Sequence, residues 1–495
     1  MKPNIVLFLV DDMGWQDTSV PFHAERTPFN DRFRTPNMER LARQGVKFTN
    51  AYACPLCSPT RTSIMTGLNA ARHRVTQWTL RPGVDPSQKA EDMESPPWQV
   101  NGLQPGIPTL PGILREDGYR TIHVGKAHFG AKGTEGEDPR RLGFDVNIAG
   151  HAAGGPGSYH GTNNFSAAWR NGDRIWDVPG LEQYHGQDIN LSEALTIEAN
   201  KALAEAAGTG KPFYLYMSHY TVHTPLEPDK RFVQRYLDQG VDKAEAVYAS
   251  MVESMDDSLG QILKKLEDLG VAEDTIILFA SDNGGLSHGP RGKTPMGTGH
   301  YTHNWPLSAG KCSAYEGGVR VPMLVSWAKP APANPRQKRI PIQPGSICHE
   351  PVICDDFLPT LCRWAGVEDL EKRVERLDGQ DITGAVAGDA SFRRPGELVF
   401  HYPHFINYGK GTIEHGYGPF SALRDGNWKI IYFYDRRKWE LYDLSRDIGE
   451  KNDLALEEPD LLGRLAGKLV ERLRDMDAQY PVVSATGEQV SIGLP

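Results

Sequence analysis

The stretch NIVLFLVDD at residues 4–12 decides the fold. Six apolar residues run without a break from Ile5 to Val10, which is typical of a strand buried on both faces of a sheet. Similar runs follow at residues 119–124, 213–218, 275–280 and 321–327, with the sequences YRTIHV, FYLYMS, TIILFA and VPMLVSW. Polar or glycine-rich residues come after each run. The sequence therefore predicts several fully buried strands.

Helical patterns lie between these runs. Residues 191–206 form one, with Ser192 as its candidate cap, and residues 247–270 place an apolar stripe on one helical face before Gly270. Strands alternating with helices predict an α/β fold, with a large and mostly parallel (mixed) sheet sandwiched by helices. Residues 70–108 and 130–186 lack periodicity and are predicted to be long surface loops.

The pattern of apolar and polar residues changes after about residue 378. Residues 420–434 and 438–444 are predicted to form antiparallel strands joined by the turn DRR, and residues 460–476 a final helix. We therefore expect a catalytic domain at residues 1–380. A smaller α+β subdomain at residues 381–495 is expected to carry an antiparallel sheet.

Composition narrows the function classes. The 495-residue chain has 54 basic and 63 acidic residues and no basic run, which argues against a nucleic-acid surface. The first apolar run is too short for a membrane span and lacks a cleavage pattern. These features predict a cytoplasmic protein, or a periplasmic or secreted one if a leader has been removed. The six cysteines form no disulfide framework. Cys54 and Cys57 match a redox or zinc pattern, but no second ligand pair has suitable spacing.

Polar residues follow the predicted strands, where ligands bind in open α/β sheets. Asp11 and Asp12 follow the first strand, and Asp282 and Asn283 follow the fourth. Three carboxylates this close repel one another unless a cation neutralises them, and hard oxygen ligands favour Ca²⁺ or Mg²⁺. Each sequence, DD or DNG, is also a common turn. Other strand ends carry Lys126, His128, His219 and His223, and Lys311 precedes the fifth strand.

The stretch LCSPTRTSIMTG at residues 56–67 adds a cysteine at a helix start. Pro59 suits a first helical turn and Ser58 is a candidate cap, so Cys57 is expected at the helix N-terminus with Arg61 one turn further on. That position predicts a lowered thiol pKa and a nucleophilic Cys57. The alternative is a small buried residue in a strand-to-helix turn.

Together these motifs resemble the type I, formylglycine-dependent sulfatases of the alkaline phosphatase superfamily. The resemblance covers nearly the whole chain in the expected order. It rests on Cys57-x-Pro59-x-Arg61 followed by Thr66-Gly67, and on the segments NIVLFLVDDMGWQD, VGKAH, HTP, SDNGG and GKCSAYEGGVRVP. It implies an alkaline-phosphatase-like fold.

The resemblance also implies roles for the site residues. A formylglycine-generating maturation enzyme would oxidise Cys57 to Cα-formylglycine, whose hydrate attacks sulfur. His128 would take up the proton of its second hydroxyl. Arg61 and Lys126 would lower the pKa of the attacking hydroxyl, and His223 or Lys311 would protonate the leaving oxygen. Lys126, His223 and Lys311 would also bind the sulfate group. The implied ligands of Ca²⁺, or of Mg²⁺, are Asp11, Asp12, Cys57, Asp282 and Asn283.

The C-terminal part is similar to bacterial sulfatases that act on sulfated carbohydrates. We therefore expect a sulfated carbohydrate as the substrate, such as a galactose or N-acetylgalactosamine sulfate. Three alternatives stay open: a phosphonate or phosphodiester hydrolase, an aryl sulfatase of broad specificity, and an inactive binding protein on this fold. Five side chains are expected either to line a sugar site or simply to pack: Trp78, His151, His160, His401 and His404.

Overall fold

A mixed, mostly parallel sheet of nine strands forms the centre of the molecule. The structure is a computed structural model that describes residues 2–88, 90, 92–168, 172–287, 289, 291–406 and 415–495. The strand order is β10-β2-β8-β7-β1-β6-β4-β5, and β9 also pairs with β2. Only β8 runs antiparallel to its neighbours β7 and β2.

The strands are β1 Asn4–Val10, β2 Val46–Tyr52, β3 Met93–Glu94, β4 Arg120–Gly125, β5 Val146–Ile148, β6 Phe213–Ser218, β7 Thr275–Ser281, β8 Arg320–Trp327, β9 Ser346–Cys348, β10 Val352–Ile353, β11 Leu398–Tyr402, β12 Phe420–Asp425, β13 Trp428–Phe433, β14 Lys438–Asp443 and β15 Val482–Val483.

The α-helices are α1 Pro28–Arg32, α2 Pro36–Gln44, α3 Cys57–Thr66, α4 Ala70–His73, α5 Leu110–Glu116, α6 Leu191–Gly208, α7 Val233–Asp238, α8 Lys243–Asp268, α9 Glu316–Val319, α10 Pro335–Arg339, α11 Phe357–Ala365, α12 Leu370–Arg373, α13 Thr383–Val386 and α14 Pro459–Asp475. Short 3₁₀ helices lie at Glu135–Glu137, Pro139–Leu142, Gly161–Asn163, Arg174–Trp176, Glu182–Tyr184, Ala272–Asp274 and Cys354–Asp356.

Both faces of the sheet are buried. Along β1, Ile5, Leu7 and Leu9 pack into one apolar core, and the alternating residues Val6, Phe8 and Val10 pack into a second core on the opposite face. Helices α6 and α8 cover the second core. Because neither face is solvated, each strand is apolar throughout, as the sequence predicts.

The five predicted strands and the predicted α/β class are confirmed, with strand ends that differ by at most one residue. Two predicted helix caps are wrong. Helix α6 is capped by Asn190, whose side chain accepts a hydrogen bond from the Ser192 N–H. Helix α3 already begins at Cys57, so Ser58 lies inside its first turn, and Leu56 is the N-cap.

The C-terminal antiparallel sheet is also confirmed, in the order β11-β12-β13-β14. One of its faces contributes to the first core, through Phe420, Ala422 and Ile431. Its other face packs against α14 in a third core. The boundary at residue 380 stays a prediction. No helix among the described residues is both long enough and apolar enough to cross a membrane.

Candidate active site

Six chain segments bring their polar residues together at one edge of the large sheet. Because β8 runs against β7 and β2, its N-terminal end lies at the edge where the other strands end. The segments carry Asp11 and Asp12 after β1, Cys57 and Arg61 on α3 after β2, Lys126 and His128 after β4, His223 after β6, Asp282 and Asn283 after β7, and Lys311 ahead of β8. All of these residues are buried except His223, whose side chain is partly exposed.

The thiol of Cys57 is buried at the first turn of α3. The helix is held by Thr60, whose hydroxyl accepts a hydrogen bond from the Cys54 N–H at 3.0 Å, and it ends at Gly67, which has a left-handed φ of 68°. Burial raises the pKa of the Cys57 thiol, and Lys126 and Lys311 offset this only in part. The predicted lowering of this pKa is therefore wrong, because full burial outweighs the positive charges and the helix terminus.

Three carboxylates face three cationic side chains. Lys126 Nζ lies 2.6 Å from Asp11 Oδ2, and Lys311 Nζ lies 2.6 Å from Asp12 Oδ1. Arg61 donates from Nε to Asp282 Oδ2 at 2.9 Å. The formal charges of these six residues cancel. When all six are ionised, these side chains alone give the site no net positive charge.

Three buried oxygens in the site have no hydrogen-bond partner among the described residues. They are Asp11 Oδ1, Asp12 Oδ2 and Asn283 Oδ1. The Asn283 amide donates from Nδ2 to Asp12 Oδ1 at 2.8 Å, which leaves its oxygen for another partner. Burial, followed by Asp282, raises the pKa of Asp11 well above its usual range. Unpaired buried oxygens of this kind are costly, and they fit a hard divalent cation such as Ca²⁺ or Mg²⁺.

Asp282 is engaged differently. Its Oδ2 accepts from Arg61, and its Oδ1 accepts from the Asp12 N–H at 3.2 Å. Asp11, Asp12 and His223 each offer one potential metal-ligand atom, and these three atoms lie within 4.8 Å of one another. Burial alone would raise the pKa of Asp12, but Lys311, His223 and Lys126 lower it well below its usual range.

The two site histidines are held by backbone carbonyls. His128 Nε2 lies 2.8 Å from the Thr79 carbonyl, which fixes the proton on Nε2 and leaves Nδ1 as a lone pair with no partner among the described residues. Burial, followed by Lys126, lowers the pKa of His128 well below its usual range, so this imidazole is neutral.

His223 Nδ1 lies 2.8 Å from the Thr224 carbonyl, and Nε2 lies 3.8 Å from Asp12 Oδ2. Burial and the nearby Lys311 lower the pKa of His223 to about 3. Its Nε2 therefore carries a lone pair.

Two glycines form a close cover over these rings. A Cβ atom at Gly154 would lie 2.3 Å from Cε1 of His128, and one at Gly155 would lie 2.7 Å from Nδ1 of His223. Only glycine fits at this distance, so the loop that contains Gly154 and Gly155 packs directly against both imidazole rings and fixes them.

The sequence missed several supporting groups. Ser218 Oγ accepts from Arg61 at 2.6 Å, and the Thr79 carbonyl orients His128. Asp12 and His128 have left-handed φ values of 60° and 57°, which non-glycine residues adopt mainly where structure demands it. Ser218 ends a predicted strand, and this position is the one feature of the sequence that could have indicated a supporting group.

Two of the five side chains that are expected to line a sugar site or to pack, His401 and His404, do pack. His401 bonds Ser421 Oγ at 2.7 Å and the Gln479 carbonyl at 2.8 Å, and His404 is fully buried against Thr76 and Ser87. Trp78, His151 and His160 are partly exposed.

A sequence profile described as Sulfatase matches residues 3–367. The chain belongs to the sulfatase family. It is therefore a sulfuric ester hydrolase. A second profile, described as N-sulphoglucosamine sulphohydrolase, C-terminal, matches residues 309–479 of this sulfatase.

Curated relatives cover most of the sulfatase. It is 27% identical to a protein named Sulfatase from Formosa agariphila, over 92% of this chain and 85% of that one. It is 29% identical to the N-acetylgalactosamine-6-sulfatase of Canis lupus familiaris, over 81% of this chain and 68% of that one.

Solved structures share the fold of the sulfatase. The crystal structure of Ps i-CgsB superposes with a TM-score of 0.73 at 25% identity, covering 96% of this chain and 93% of that one. The PsFucS1 sulfatase from Pseudoalteromonas sp. gives a TM-score of 0.68 at 22% identity, covering 96% and 90%. The alkaline-phosphatase-like fold expected from the sequence is confirmed.

Proposed function

We propose that this sulfatase removes sulfate from a sulfated carbohydrate, with Cys57 converted to Cα-formylglycine and a divalent cation, Ca²⁺, in the site. The observation that carries the proposal is the set of three unpaired buried oxygens close to Cys57 in a sulfatase fold. A formylglycine-generating maturation enzyme would be the partner that converts Cys57.

Asp11, Asp12 and Asn283 would hold the cation through these oxygens, with Asp282 and the converted residue 57 beside them. The cation supplies positive charge for the sulfate oxygens and lowers the pKa of a nearby hydroxyl. The formylglycine hydrate would supply a nucleophilic hydroxyl and a second hydroxyl whose proton can be removed.

The protein's own residues would do the rest. Lys126 and Lys311 stabilise the charge that grows on the sulfuryl oxygens. His128 Nδ1, held as a lone pair by Thr79, accepts the proton of the second hydroxyl. Lys311 donates a proton to the leaving oxygen, because His223 holds its proton on Nδ1, which donates to the Thr224 carbonyl, and its Nε2 has none to give. His223 binds the sulfate group.

The carbohydrate substrate is supported by relatives named N-acetylgalactosamine-6-sulfatase at 28–29% identity. Relatives named Arylsulfatase J and Steryl-sulfatase, at 27% and 29%, support a sulfatase of broad specificity as the second candidate. The family match does not favour the phosphodiester hydrolase.

Initial rates on N-acetylgalactosamine 6-sulfate, other defined sugar sulfates, 4-nitrophenyl sulfate and bis(4-nitrophenyl) phosphate test the proposal. We expect kcat/KM to be highest on one of the sugar sulfates and lowest on the phosphodiester. Equal rates on all the sulfate esters would favour the broad aryl sulfatase, and fastest turnover of the phosphodiester would overturn the proposal.

A further inference from the structure

A buried charge cluster joins the C-terminal sheet to the active-site edge of the large sheet. Along β13, Ile431 and Phe433 point into the core that the two sheets share, and Lys429 alternates onto the same face. On β12, Arg424 is the direct partner of Lys429 across the two strands. Two like charges directly opposite each other destabilise a sheet unless anions compensate them.

The compensating anions come from outside the C-terminal sheet. Lys429 Nζ lies 2.9 Å from Glu316 Oε1 and 2.8 Å from Glu450 Oε1, and all three side chains are fully buried. The backbone N–H of Glu316 donates to Glu450 Oε2 at 2.6 Å. Glu316 is thus fixed at both its side chain and its backbone.

The other oxygen of Glu316 is fixed from the large sheet. Tyr52 donates its hydroxyl to Glu316 Oε2 at 2.6 Å, and Arg320 Nη1 lies 3.1 Å from the same oxygen. Arg424 in turn contacts the Tyr52 hydroxyl. Because so many charged and hydrogen-bonding partners contact it, the Glu316 carboxylate is held in a single position. The short helix α9, which begins at Glu316, is held in place with it.

Helix α9 supports three of the site segments through its backbone. The Gly318 carbonyl accepts from the Gly284 N–H at 3.0 Å, directly after Asn283. The Val319 carbonyl accepts from the Ala53 N–H at 2.9 Å, at the start of the segment that leads to Cys57. The Gly317 N–H donates to the Ser308 carbonyl at 2.9 Å, three residues ahead of Lys311.

The contact between α9 and the Asn283 segment is tight. A Cβ atom at Gly284 would lie 1.8 Å from the Gly317 carbonyl oxygen, so the two backbones touch. A shift of α9 therefore has to move Gly284, and with it the amide oxygen of Asn283. Misplacement of a reacting group by about 1 Å lowers a rate by about 100-fold.

We propose that Lys429 is a positioning residue of the active site: through Glu316 it holds α9, which sets the positions of Asn283, Lys311 and the segment before Cys57. The inference rests on the proposed function, in which Asn283, Lys311 and residue 57 belong to the site. The C-terminal sheet then contributes to catalysis without touching the substrate.

The test compares four variants of the full-length sulfatase: Lys429→Met, Lys429→Arg, the double variant Lys429→Met/Glu316→Gln, and Leu469→Ala. Leu469 lies on α14 and is fully buried against the opposite face of the C-terminal sheet, in a core that does not include Glu316, so its truncation destabilises the subdomain away from Glu316. Melting temperature, kcat, KM and the calcium concentration for half-maximal activity are measured for each. Rates are normalised to the fraction of Cys57 that mass spectrometry finds converted.

We expect Lys429→Met to lower kcat by about 100-fold and to raise the half-maximal calcium concentration. Lys429→Arg restores part of kcat. The double variant recovers part of the melting temperature, because the unpaired carboxylate at position 316 is removed while that of Glu450 remains, but its kcat stays low. Leu469→Ala lowers the melting temperature with kcat unchanged.

Wild-type kcat in a folded Lys429→Met variant, or an equal loss of kcat in Leu469→Ala, would overturn the positioning role. Asn283→Ala, measured alongside, separates this outcome from a failure of the proposed function. We expect that variant to be inactive. An active Asn283→Ala variant would overturn the site assignment itself.

Discussion

Replacement of Lys311 by methionine tests which group protonates the leaving oxygen. Lys311 Nζ lies 2.6 Å from Asp12 Oδ1, with both side chains almost fully buried. Methionine keeps most of the side-chain length and removes both the charge and the proton. Breaking a buried ion pair in this way costs about 3–5 kcal/mol of stability, which bound Ca²⁺ on Asp12 would partly offset.

The kinetic effect depends on the leaving group. A sugar alkoxide is a poor leaving group and needs a proton, and a general acid contributes about 10²–10⁴ to such a step. That factor corresponds to about 2.7–5.4 kcal/mol of barrier. Nitrophenolate is a stable anion and leaves without a proton, so 4-nitrophenyl sulfate loses only the charge stabilisation that Lys311 gives to the sulfuryl oxygens.

The assay is kcat/KM of Lys311→Met on the best sugar sulfate and on 4-nitrophenyl sulfate. We expect the fold-loss on the sugar sulfate to exceed the fold-loss on the aryl sulfate by about 10²–10⁴. The matched variant His223→Asn should lose activity equally on both substrates. A large difference with His223→Asn and none with Lys311→Met would refute the reasoning and assign the proton to His223.

Three further outcomes are expected. Chelation of the divalent cation should lower the melting temperature and abolish turnover, and added Ca²⁺ should restore both better than Mg²⁺; a chelated protein that keeps its activity would contradict the cation site. Gly154→Ala should displace His128 and lower kcat of the folded protein at least tenfold, since a misplaced reacting group typically costs about 10²-fold in rate. The control Gly463→Ala adds a Cβ that meets open space on α14, so it should leave kcat unchanged and stabilise the helix by about 0.5–1 kcal/mol. Burial lowers the pKa of His401 to about 4, below its unfolded value of about 6.5, so its contribution to stability is lost as the pH falls, by about 3 kcal/mol at pH 4. The free energy of unfolding, measured with denaturant between pH 6.5 and pH 4, should therefore fall less steeply with pH for His401→Asn than for the wild type. Identical slopes for the two proteins would exclude the effect.

Most of the fold follows from one property of the sequence. Strands buried on both faces must be apolar throughout, so β1 and β7 stand out in the sequence as uninterrupted runs of apolar residues. Strand β2 (VKFTNAY) alternates with polar residues and was missed, although it leads into Cys57. The predicted caps of α6 and α3 are wrong because Asn190 and Leu56, rather than Ser192 and Ser58, hold the N-cap positions.

The grouping of the predicted site residues at one edge could be predicted, because each follows or precedes a strand whose end meets that edge. Their protonation could not. The raised pKa of the Cys57 thiol depends on burial by distant segments, and the lone pair of His128 depends on the Thr79 carbonyl. The link from Lys429 to Glu316 spans 113 residues, and no local pattern in the sequence marks it.

Mass spectrometry of the peptide that contains residue 57, combined with activity of the same preparation, tests the central claim most directly. We predict that the active protein carries formylglycine at this position and that turnover rises in proportion to the converted fraction. Full activity from a preparation in which Cys57 is entirely an unmodified thiol would contradict the account.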